Sequence, residues 1–473
     1  MLGAGAAGRL RKRLPSLAVW ASNRSITPTS LTGISLMLGG CAAGWLSGRA
    51  AHDLLWGVLA LCMCFLSQAA ARGLDSFMAQ KAAAPRSAAA ARTAPGLAGS
   101  TDWLVLPDLA WDDEPVVARI SRGGSASVDR PAVLRPRFVW LSAICAIAVE
   151  CAVYGGIAMR GQSAGHKGIW PLAVLAIALV AIAEMTSACR GAGPAGQRRA
   201  WARVAAAEHR SRPAFWHWAD RIVAPPAPAR LLIAVVALLA GGPEIALISV
   251  AAAEAASVLA MLAIAIFAPA GPSDIAVVLA CRDDGPVARW AGRLVQGNLM
   301  PLPPAFAGVA ATCILAALGL RNLPGIICLT PPVVMMLASG GSSHRHDGKL
   351  DWLTPVLLAV GQFVYLAALG FELGVPGPAI FAACAVTSVW YASIAAQPAP
   401  RASAGIGWEG RMFAIGLTAI FGLATFGYLG LAAYLGALIC WTVVNGYQVP
   451  KEEAAGDRYG SRGRSRPATS TRY

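Results

Sequence analysis

The sequence predicts an all-α fold, a polytopic membrane helix bundle of about twelve transmembrane helices arranged six plus six. Three observations predict it. Only 13% of the 473 residues are charged and 56% are hydrophobic, whereas a soluble domain carries about 25% charged residues. Apolar runs such as "LLWGVLALCMCFLSQAAA" (54–71) and "IWPLAVLAIALVAIAEMTSA" (169–188) approach the roughly 20 residues that span a bilayer core. Finally, the Lys and Arg residues fall almost entirely on one side of the predicted spans.

The elements follow in order. Residues 1–30 form a basic cytoplasmic lead, with an amphipathic interfacial helix before Pro28. Helices are predicted at 31–48, 53–71, 138–158, 168–188, 231–242 and 244–267 in the first half. In the second half they are predicted at 304–320, 324–339, 352–372, 376–396, 412–426 and 428–447. A cytoplasmic insert, 72–137, follows the second helix. It begins Ala/Pro/Ser-rich and flexible in character, then turns acidic in "TDWLVLPDLAWDDEPVVARI". "APAGPSD" marks a seam, so the expected domains are 31–268 and 275–450. Pro331 and Pro332 interrupt the eighth helix, and the tail 451–473 is expected to be disordered. The first apolar run lacks a small-residue cleavage site and reads as a retained helix, not a signal peptide.

The net charge of +15 is a matter of topology. Of 39 Lys and Arg residues, 35 lie in the lead, the tail and alternate loops; the other side holds only Arg49, Arg160, Lys167 and Arg321. By the positive-inside rule this places both termini in the cytoplasm of a plasma (inner) membrane protein. The basic residues suit anionic lipid headgroups. No basic, aromatic surface pattern suggests a nucleic-acid partner. The eleven cysteines, mostly within apolar runs, read as small packing residues.

Few residues carry chemistry. Asp75 stands alone in "RGLDSFMAQ" (72–80), at the cytoplasmic mouth of the second helix. Asp108 and Asp112 have a D-x-x-x-D spacing within the insert. Three acids, Glu150, Glu184 and Glu254, fall inside apolar helices; such acids usually face the bundle interior or a cavity. His344, His346 and Asp347 sit in a polar loop without a metal-site frame.

Thr27, Pro28, Leu31 and Thr32 in "ITPTSLT" resemble the TP-x-x-[VL]-T opening of the CDP-alcohol phosphotransferase family. The resemblance covers roughly 26–268. It implies a six-helix core and a signature reading D-x-x-D-G-x-x-A-R, eight residues, then G-x-x-x-D-x-x-x-D. Aspartates at that spacing share a helical face. Four of them would hold two Mg²⁺ or Mn²⁺ ions on the diphosphate of a CDP-alcohol, and an alcohol acceptor would then displace CMP. Asp75 and Ala79 match the motif. Arg72, Ser76 and Gln80 replace its first aspartate, its glycine and its arginine. In the later part, Phe138, Ser142 and Ala146 take the glycine and two aspartate positions. The resemblance thus implies a member that has largely lost its metal site and is non-catalytic, with no confident metal or other cofactor. Its implied partners are membrane lipids, a second copy of itself, or an active relative. Asp108 and Asp112 are the only replacement acids through which activity would return. "ADRIVAPPAPARLLIAVVALLAGGPEIAL" (219–247) resembles the family stretch leading into its fifth helix, where a basic residue often helps bind the acceptor's phosphate, which points to Arg221 and Arg230.

The second half resembles an uncharacterised membrane domain that follows such phosphotransferase domains in high-GC actinobacteria. "RWAGRLVQGNLMPLPPA", "KLDWLTPVLLAVGQFVYLAAL" and "WEGRM" carry that likeness. The competing class is a twelve-helix solute transporter, although here the long loop follows the second helix instead of lying at the centre.

Overall fold

A computed structural model describes residue 24 and residues 27–92, 136–189, 225–267, 281–294, 301–319, 325–341, 350–396 and 405–445. Among these residues there is helix and turn but no strand. The helices are α1 Pro28–Ser47, α2 Ala51–Arg92, α3 Pro136–Ser163, α4 Ile169–Cys189, α5 Ala227–Phe267 and α6 Pro286–Leu294. They continue with α7 Leu302–Ala317, α8 Thr330–Gly341, α9 Leu353–Glu372, α10 Gly377–Ala395, α11 Gly407–Ile420 and α12 Ala424–Asn445. Asp108, Asp112, Arg221, His344, His346, Asp347 and the tail lie outside the described residues.

Eight of these helices are long and apolar enough to cross a membrane; α7 and residues 326–340 are shorter apolar helices. Length therefore supports eight spans among the described residues, where twelve are expected. The helix α6 is nine residues and amphipathic, and α11 is 14 residues. The outward faces carry Met37, Leu55, Leu66, Phe267, Phe306 and Phe426, all well exposed. In water so much apolar surface would drive aggregation; in hydrocarbon it meets its own kind.

Local sequence explains the boundaries. Thr27 caps α1, with its hydroxyl accepting from the Ser30 amide while Ser30 reciprocates. Pro28 fills the first turn, and the Thr32 hydroxyl donates to the Pro28 carbonyl at 2.9 Å. The residues of "TPTSLT" thus start a helix whatever else they do. The helix α2 runs on to Arg92, well past the expected end at 71. Its extension is rich in alanine, the strongest helix former. Pro331 and Pro332 do not break a helix: a 3₁₀ turn, Gly325–Leu329, hands over to α8, and both prolines sit in that helix's first turn.

The helix α5 is two helices in one. Gly242 has φ +87° and ψ −174°, and Pro243 follows it. That conformation is essentially restricted to glycine, and proline suits the start of the next helix. In a straight helix Arg230 and Glu254 would be about 36 Å apart at 1.5 Å per residue. Instead their side chains approach to 3.8 Å. The chain doubles back at Gly242, so 227–241 and 243–267 form antiparallel limbs.

The helices α4 and α10 form the centre, each about 72% buried, whereas α1 and α2 are 28% buried and α12 only 17%. The core crosses the expected seam near 275. The helix α4 packs on α9 and α10, and α3 on α10. The Trp140 indole donates to the Ser393 carbonyl at 3.1 Å, and the Ser388 hydroxyl to the Ile177 carbonyl at 3.4 Å.

Replacing Gly242 with alanine should lower the stability of the purified protein by about 1–3 kcal/mol, measured as the unfolding midpoint in detergent. Gly40→Ala, in the interior of α1 where a Cβ meets nothing, should hold or slightly raise that midpoint.

Candidate functional site: a buried charge centre in the membrane bundle

Four of the singled-out residues converge. Glu150 lies 13 residues before the end of α3, Glu184 lies 15 after the start of α4, and Arg230 and Glu254 each lie 12 from Gly242. Each is therefore about 18–22 Å along its helix from the turns on one face of the bundle. Four helical segments deliver one guanidinium and three carboxylates to a single level.

The geometry is tight. Arg230 forks onto Glu150, with Nε to Oε2 at 2.9 Å and Nη2 to Oε1 at 2.8 Å. Its Nη2 also donates to Glu184 Oε1 at 2.8 Å, and its Nη1 to the Pro225 carbonyl at 3.1 Å. The Tyr154 hydroxyl donates to Glu150 Oε2 at 3.4 Å. Arg230, Glu150 and Glu254 are buried, while the Glu184 side chain keeps 35% exposure. Glu254 faces the guanidinium, but neither of its oxygens accepts a hydrogen bond.

Small residues make this approach possible. Glu254 sits in "VAAAEAASV", and small side chains let helix backbones come close. Bidentate pairing of planar guanidinium with carboxylate is the strong form of charge-assisted hydrogen bond. Removing the cation from such a buried site leaves uncompensated negative charge.

The positions of the expected metal motif do not converge in this way. Asp75 is buried about midway along α2, and Arg72 one turn earlier is exposed. Ser142 and Ala146 occupy the matching positions on α3. A cation, one carboxylate, a hydroxyl and a methyl are not a ligand set for two hard divalent ions. Among the described residues no group of three or more His, Cys, Asp or Glu is arranged to hold a metal.

A second polar centre was not foreseen from the sequence. Arg411 pairs with Asp283 through Nη1 at 2.6 Å and donates to Gln362 Oε1 at 3.1 Å. The Trp390 indole donates to Asp283 at 2.9 Å, and Tyr391 to Gln362 at 2.6 Å. Asp284 pairs with Arg282 at 2.6 Å and accepts from the Trp408 indole at 3.1 Å. Glu409 receives the amides of Gly285 and Ala288 at 3.0 and 3.1 Å. A carboxylate thereby caps the N-terminus of α6, where the helix dipole favours negative charge. The legible signal was "RDDGP" (282–286) and "WEGRM" (408–412), two short segments that each mix acids with an arginine and a glycine. Two cations assigned to cytoplasmic loops by charge, Arg230 and Arg411, are internal partners.

No protein-family model, no curated protein and no solved structure matches the chain.

Arg230→Gln should cost about 3–5 kcal/mol, because it strands buried carboxylates. Arg411→Gln, which strands Asp283, should fall in the same range. Both are read as losses in a denaturant or detergent unfolding titration.

Proposed function

We propose that this chain is a twelve-span plasma-membrane protein with both termini in the cytoplasm. In this reading it is a diverged protein of the CDP-alcohol phosphotransferase type that engages lipids or their polar headgroups without turning them over. One observation carries the reading. Every nitrogen of Arg230, the residue matched to the acceptor-phosphate site, is engaged by Glu150, Glu184 or the Pro225 carbonyl. Four of its five N–H donors are thus taken, so it cannot offer a phosphate the paired donors of a bidentate contact. The donor set around Asp75 supports the same conclusion, since Arg72 is a cation where a metal ligand is needed.

Within this reading the basic loops contact anionic headgroups, and the apolar outer faces offer a surface for a second copy or an active relative. A solute transporter is the second reading. The glycine-broken α5, with a carboxylate at mid-helix, favours it, because broken helices often line binding sites in transporters.

Purified protein given CDP-alcohols with Mg²⁺ or Mn²⁺ should release no CMP above the level of Asp75→Asn. CMP release that Asp75→Asn abolishes would contradict the proposal. Release that survives Asp75→Asn but is lost in Asp108→Asn with Asp112→Asn would assign catalysis to the insert. Solute uptake into proteoliposomes would favour the transporter.

A further inference from the structure

The Arg230 centre is not electrically balanced. Glu254 is faced by Arg230 from the other limb of α5, by Glu150 and Tyr154 from α3, and by Glu184 from α4. The only elements with substantial packing on α5 among the described residues are α3 and α4. Three carboxylates against one guanidinium leave two excess negative charges if all three acids are ionised. Glu150 and Glu184 are matched by short hydrogen bonds from Arg230. Glu254 is fully buried, and both its oxygens lack a hydrogen-bond partner. The Arg230 Nε stands 3.8 Å from it, beyond hydrogen-bond reach.

An ionised carboxylate accepts hydrogen bonds at both oxygens, and an apolar setting that offers none makes the charge costly. Such acids inside membrane bundles serve as proton stations. A metal ion suits the site poorly, since the guanidinium already occupies the space between the carboxylates. We propose that Glu254 is an intramembrane proton-binding site, neutral when the Arg230 cluster is closed, which exchanges its proton through Glu184. On release the Glu254 O–H bond breaks and one forms on a Glu184 carboxylate oxygen. Glu184 then yields the proton to water at its exposed side, and the cluster becomes more negative by one charge. Glu184 suits this relay because it shares the guanidinium with the buried centre and alone in the cluster is substantially exposed. This inference does not depend on the phosphotransferase reading, since CMP release and protonation are read separately.

Infrared difference spectroscopy of the full-length protein in lipid nanodiscs, between acidic and alkaline buffers, tests it. A C=O stretch of a protonated carboxylic acid should be present, and it should disappear on alkaline titration. It should be missing in Glu254→Gln and retained, with slower exchange, in Glu184→Gln. Should Glu254→Gln fail to fold, Glu254→Asp should move the band. A band that persists in Glu254→Gln, or no such band at any pH, overturns the proposal. Loss of the band on adding sodium at constant pH would name an alkali cation as the occupant and also overturn it.

Discussion

A guanidinium surrounded by hydrocarbon must be neutralised within hydrogen-bond reach, and Arg230 meets carboxylates from three other helical segments at once. Glu150 comes from α3, Glu184 from α4, and Glu254 from the returning limb of α5. That requirement fixes the depth of each helix, because sliding any one by a turn, about 5.4 Å, removes its carboxylate. It also requires the reversal at Gly242, without which Glu254 lies far from Arg230. Apolar helices in lipid have little hydrophobic reason to prefer one register over another. A buried charge centre supplies that reason, in keeping with the register-setting role of buried polar groups.

The second centre does similar work at the other end of the chain. Asp283, Arg411 and Gln362 tie the segment before α6 to α11 and α9, while Glu409 caps α6. The two centres belong to one core, since α4 lies between α5 on one side and α9 and α10 on the other. A change in charge at Glu254 would therefore be felt across the helices that both halves share. The helices α1, α2 and α12 turn large apolar faces outward and pack closely on their inner sides, as where Gly156 on α3 closes against the Ala43 carbonyl of α1.

Much of the architecture was legible because lipid imposes a length and a composition on each helix. The run 54–71 lies within α2 and the run 169–188 coincides with α4, and Glu150, Glu184 and Glu254 stood out because charge there is rare. Their convergence on Arg230 was not legible. Periodicity places a residue on a helix face but does not say which faces meet, and Arg230 read as a loop cation facing a headgroup or an acceptor's phosphate. The Asp283–Arg411 pair was hidden for the same reason, since both residues lie at helix ends where charge is ordinary. The extension of α2 was missed because its alanines sit among residues that also suit a linker.

The most direct measurement is a double-mutant cycle between Arg230 and Glu150, using Arg230→Met and Glu150→Leu, with unfolding free energy read in a detergent titration. If the centre holds the helices in register, the two changes will be strongly non-additive, with a coupling of about 2–3 kcal/mol, and the double variant will be more stable than Arg230→Met alone. Additive effects within about 0.5 kcal/mol would contradict the account, because the two groups would then not be holding each other.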